Sequence, residues 1–205
     1  MKRRTILTAL ILVPLLGLLP APAPAATAAN DLRAAMRKLW EDHITWTRLF
    51  LVSALSDLPD SAATTDRLLQ NQVDIGNAVK PFYGDAAGSK LSALLKDHIL
   101  IAADIVQAAK AGDTGKLESS KTRWTANADE IAAFLSGANP KNWPAADMKA
   151  MMHDHLQATT KELEARLNKD WKADVAAYDN VHQQILKMAD MLSDGIIKQF
   201  PAKVK

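Results

Sequence analysis

A tripeptide recurs three times in this chain, as Asp42-His43-Ile44, Asp97-His98-Ile99 and Asp154-His155-Leu156. The interval of roughly 55 residues is the length of one helix-turn-helix unit. Cysteine is absent, which excludes disulfides, thiolate ligands, iron-sulfur clusters, attached c-type haem and thiol nucleophiles together. Metal chemistry, if the chain does any, falls to imidazole, carboxylate, thioether, carboxamide or phenol. Imidazole suits zinc, copper, iron and nickel.

Spacing says which imidazoles face inward. His43 steps in threes and fours with Met36, Trp40, Thr47, Phe50 and Ala54, and His98 with Leu91, Leu94, Ala102 and Ile105. His155 steps with Met148, Met152, Thr159 and Leu163, and His182 with Val175, Tyr178, Ile185, Ala189 and Leu192. Each is the apolar stripe of an amphipathic helix. His153 steps with Lys149 and Gln157 and reads as a surface residue.

Counting from the turns puts these histidines at similar heights, with Asp74, Asn127 and His182 at matching heights on the return helices and Glu130 one turn further. Asp179 and His182 stand at the i, i+3 spacing by which one helix supplies two ligands inside a bundle. The reading is a metal site of His43, His98, His155 and His182, with Glu130, Asp179 and Asp74 as carboxylate ligands. Copper is favoured by the Irving-Williams order and by the nearby Met148, Met151, Met152, Met188 and Met191. Zinc is an alternative, and iron becomes the better choice if Glu130 and Asp179 both ligate.

Such a site would serve sequestration, delivery or redox work. The competing reading is a structural or protein-interaction module of the cell envelope, whose polar core layer fixes helix register without a metal. A b-type haem between two histidines is a further alternative that no motif singles out. Ferritin-like di-iron proteins use paired Glu-x-x-His motifs, and this chain has a single Asp-x-x-His. Ser53 and Thr159 have no base arranged beside them, so nothing points to hydrolysis.

The elements that must position these groups are helices. Apolar residues recur at helical spacing nearly throughout, and prolines fall between the periodic stretches. The expected helices run from Asp31 to Leu58, Ala62 to Lys80 with Pro81 as the stop, Ala86 to Ala111, onward to Ser136, Ala145 to Asn168, and Asp170 to Phe200. No alternating β-branched run remains. The fold class is all-α: six antiparallel helices as three repeated hairpins, about 31–80, 86–136 and 145–200, in one bundle domain over 26–205.

The first residues read differently. Lys2, Arg3 and Arg4 precede an apolar run from Thr5 to Leu19 and then Ala23-Pro24-Ala25, the three-part pattern of a secretory signal over 1–25. The run is broken by Pro14 and Gly17 and is shorter than the roughly 20 residues of a membrane span. The expectation is a periplasmic or secreted protein with no membrane insertion once the signal is removed. The net charge of +2 includes those three basic residues, so the remainder carries one net negative charge and shows no basic patch for nucleic acid.

Several segments carry a resemblance: Asn71-Gln72-Val73-Asp74-Ile75-Gly76, Pro81-Phe82-Tyr83-Gly84, Asn127-Ala128-Asp129-Glu130-Ile131-Ala132, and Tyr178-Asp179 through Met188-Ala189-Asp190-Met191-Leu192. Together they are similar to an uncharacterised family of exported bacterial all-helical proteins. The resemblance spans most of the chain after the signal and implies no activity and no catalytic residue.

Overall fold

A computed structural model describes residues 26–204. The expected signal segment lies outside the described residues. Six helices follow one another: α1 (Ala26–Leu55), α2 (Ser61–Tyr83), α3 (Asp85–Ala111), α4 (Thr114–Ala138), α5 (Ala145–Leu167) and α6 (Trp171–Gln199), with a final 3-10 turn at Pro201–Lys203. There is no strand among the described residues. None of these helices is long and apolar enough to cross a membrane.

Local chemistry sets the boundaries. The Asp113 and Asp170 carboxylates cap α4 and α6 by accepting from the backbone N–H of Lys116 at 2.9 Å and of Ala173 at 3.0 Å. Gly112 ends α3 in the left-handed conformation at φ 69°, which glycine adopts without a Cβ clash. Asp57, at φ 54°, ends α1 earlier than the apolar stripe suggests. The backbone N–H of Leu58 then folds back onto the Ser53 carbonyl at 3.0 Å.

Pro81 does not stop α2, which continues to Tyr83. A proline this close to a helix end removes only one N–H from the ladder and already holds a helical φ. The Gly84 N–H closes the last turn on Lys80 O at 2.8 Å.

Each helix packs on the next, and α1 packs on α6, so the contacts close into a ring. The closing seam is a ladder of polar pairs. Arg33 bonds Asp194 at 2.7 Å, Arg37 bonds Asp190 at 2.6 Å, Glu41 bonds His182 at 2.7 Å, and Arg48 bonds Asp174. Two small residues permit close approach elsewhere. A Cβ on Gly76 would stand 2.5 Å from Gly88 O, so α2 and α3 meet backbone to backbone. A Cβ on Gly195 would stand 2.0 Å from Trp143 Nε1, whose ring plugs the 139–144 connection onto α6.

One core fills the ring. Met36, Ile44, Leu68, Ile75, Ile131, Met148, Ile185, Met188 and Ile196 are its most deeply buried side chains. The apolar stripe of α6 differs from the expected one. Val175 is 56% exposed, while Asp174, Val181, Ile185, Met188 and Leu192 face inward. The departure is confined to the first half of the helix, since Ile185, Ala189 and Leu192 are buried as expected while Tyr178 and His182 are half-buried.

Candidate metal centre

His43, His98 and His155 are all buried at the centre of the ring, one each from α1, α3 and α5. The rings of His43 and His155 are 5.8 Å apart between centroids, and those of His98 and His155 are 6.3 Å apart. Two indoles bracket the group, Trp40 at 5.7 Å from His43 and Trp124 at 5.1 Å from His98.

A side-chain carboxamide holds each imidazole. A carboxamide placed 29 residues after each histidine bonds its Nδ1: Gln72 to His43 at 3.3 Å, Asn127 to His98 at 2.8 Å, and Gln184 to His155 at 3.1 Å. A carboxamide at the same level also donates to the backbone carbonyl one turn before the histidine. Asn71 does so to Leu39 O at 3.0 Å, Asn127 to Leu94 O at 3.1 Å, and Gln184 to Met151 O at 3.1 Å.

Those carbonyl bonds settle tautomers. Because the amide nitrogens of Asn127 and Gln184 are spent on carbonyls, their oxygens face the imidazoles and accept from Nδ1–H. His98 and His155 therefore carry bare lone pairs on Nε2. His98 Nε2 is buried with no hydrogen-bond partner. His43 has the other arrangement. Gln72 Nε2 donates to Leu68 O at 2.7 Å and faces His43 Nδ1 as a donor, so His43 holds its proton on Nε2. Gln72 Oε1 is left buried and unpartnered.

Burial keeps all three rings neutral. It lowers His98 to about 3, aided by His155, and lowers His155 to about 4. His43 is pushed well below its ordinary value by burial and by both neighbouring imidazoles. No carboxylate contributes to any of these shifts.

The other expected ligands lie apart from this group. His182 is on the α1/α6 seam with its side chain 35% exposed and paired to Glu41. Glu130 is exposed and lines a groove with Asp97 and Arg123, and Asp179 is exposed on α6. Asp74 accepts from Gln70 at 3.0 Å and stands 3.6 Å from Arg67. His153, read as a surface residue, pairs with Asp129 at 2.7 Å. Among the described residues, no three histidine, aspartate or glutamate side chains are already arranged as a set of metal ligands.

A second buried polar group was not expected from the sequence. Glu162 and Asp174 are 1% exposed and meet Arg48, which bonds Glu162 at 2.9 Å and Asp174 Oδ2 at 2.7 Å. Arg166 bonds Asp174 at 2.9 Å. Burial raises the Glu162 carboxyl, whereas the two guanidinium groups overcome the burial of Asp174 and hold it below its ordinary value. The group ties α1, α5 and α6 together. Its signal was present all the same: Glu162 lies seven residues after His155 and Asp174 seven before Val181, both on inward stripes.

Compared with family models, curated proteins and solved structures, the chain matches none of them.

Proposed function

We propose that this protein binds a metal ion between His43, His98 and His155, and that it carries or stores the ion outside the cytoplasm. The observation that supports this most is the buried, partnerless Nε2 of His98, oriented by a carboxamide at its other nitrogen. An unsatisfied buried acceptor costs on the order of 1 to 3 kcal/mol, and one cation would satisfy several such nitrogens at once. The carboxamides supply the outer support that metal-bound imidazoles need to fix ring orientation.

Distances are compatible with closure about an ion. With metal-nitrogen bonds of about 2.1 Å, two imidazoles in line share an ion at centroid separations of roughly 6.4 Å, and around a tetrahedral ion at roughly 5 Å. The separations of 5.8 and 6.3 Å fall between these, although the rings of His98 and His155 lie stacked at 29° and must turn their Nε2 edges toward a common point to share an ion. His43 joins as a ligand if its proton moves to Nδ1 and Gln72 turns its free Oε1 toward it. Copper remains the favoured ion, with zinc and iron as alternatives. The recurring histidine-carboxamide unit also supports the internal repeat of three antiparallel hairpins, and the N-terminal pattern supports export.

The proton on His43 Nε2 favours a second reading, a register-fixing polar layer in an envelope interaction module without metal. Metal analysis of protein from its native compartment, then titration of chelator-stripped protein with copper and zinc, separates the two. The metal reading expects His98→Ala to weaken binding by about 100-fold, the upper range for losing a well-supported site, and His182→Ala to leave it unchanged. A native protein without metal, together with a His98→Ala variant that binds as the parent does, leaves only the polar-layer reading.

A further inference from the structure

We infer that the ion taken by this centre is monovalent and soft, Cu(I) rather than Cu(II), Zn(II) or Fe(II), an inference that rests on the metal reading above. The ground is charge. All three imidazoles are neutral, His98 and His155 as donors through Nε2 and His43 once its proton moves to Nδ1, and the partners of their Nδ1 atoms are the carboxamides of Gln72, Asn127 and Gln184. The two partly exposed histidines differ in this respect: His153 and His182 both pair with carboxylates, Asp129 and Glu41. The two buried carboxylates among the described residues, Glu162 and Asp174, are already matched by Arg48 and Arg166.

A cation entering this core therefore meets no compensating negative charge. The penalty for taking an ion out of water grows with the square of its charge, so a divalent ion suffers about four times the desolvation of a monovalent one of similar size. Divalent imidazole sites commonly place carboxylates behind the ligands, and none stands here. Cu(I) also accepts two or three neutral imidazoles at low coordination number, the number that the core presents in His43, His98 and His155. The indoles of Trp40 and Trp124 beside His43 and His98 are uncharged and so add no negative charge either.

The test compares ions on one preparation. Chelator-stripped protein is titrated without oxygen with Cu(I) against a chromophoric Cu(I) chelator, with Ag(I) as a redox-inert monovalent probe, and with Zn(II) and Cu(II). The expected order places Cu(I) and Ag(I) tighter than Zn(II) by about 100-fold or more, the scale on which uncompensated buried charge is felt. Asn127→Asp and Gln184→Glu each put a carboxylate behind an imidazole and should narrow that ratio by roughly tenfold. Gln184 is only partly buried, so its variant remains informative if Asn127→Asp does not fold. Zn(II) binding as tightly as Cu(I) in the parent overturns the charge argument and leaves the metal centre standing. Failure of the parent to hold any of the four ions removes the centre itself.

Discussion

Acid should unfold the metal-free protein through its three central histidines. In the unfolded chain an imidazole titrates near 6.5, whereas in the native core burial lowers His98 to about 3 and His155 to about 4. Between those limits the unfolded chain binds protons that the native state refuses. Stability is therefore complete above pH 6.5 and is lost progressively as pH falls from there toward the native values. Each pH unit below 6.5 at which a native ring stays neutral costs about 1.36 kcal/mol, so His98 and His155 each remove about 2 kcal/mol by pH 5. His43 acts in the same direction. A loss of about 4 kcal/mol from two residues is a large part of the roughly 5 to 15 kcal/mol that holds an ordinary domain. Asp174 and Asp190 are held below their ordinary values by arginines and titrate only in stronger acid, whereas the Glu162 carboxyl, raised by burial, takes up its proton in the native state and offsets part of the loss. Urea unfolding followed by far-ultraviolet circular dichroism, with chelator present, reads the effect directly. The parent should lose about 4 kcal/mol between pH 7.5 and 5, and the His98→Gln/His155→Gln variant should lose at least half less. A parent whose unfolding free energy changes by under about 1 kcal/mol over that range would refute the burial of neutral imidazoles.

Two further outcomes test the packing. Gly195→Ala places a methyl 2.0 Å from Trp143 Nε1 and threatens its bond to Met191 O at 3.2 Å, so it should cost about 1 to 3 kcal/mol, visible as a lowered Tm. Asp174→Asn leaves Arg48 and Arg166 without their shared counter-charge and should cost about 3 to 5 kcal/mol in urea unfolding, whereas Asp179→Asn, exposed on the same helix, should change stability by less than about 0.5 kcal/mol.

The six helices and three of the four inward histidines were legible in the sequence, because a helix repeats every 3.6 residues and its buried face must recur at that period. The carboxamides were legible too, in a form easily passed over: Gln72, Asn127 and Gln184 each stand 29 residues after a core histidine. A constant offset between an imidazole and an amide on the returning helix is a stronger signal than the matching heights of Asp74 or Glu130. Height places a residue along the axis and says nothing of its rotation about it.

Rotation is what the tertiary structure decided. His182 shares a stripe with Ile185 and Leu192 in sequence, yet α6 is pulled between two neighbours, and the ladder from Arg33 to Arg48 turns His182 toward Glu41 and brings Asp174 inward. Glu130 and Asp179 were likewise carried to the surface by rotations of a fraction of a turn. The sequence by itself determined that this chain would form helices with imidazoles on their apolar faces. Only closure of the ring determined that the centre would hold neutral donors and no carboxylate, because a hydrophobic stripe is wide enough to admit several rotations and the packing of α1 on α6 selects one of them.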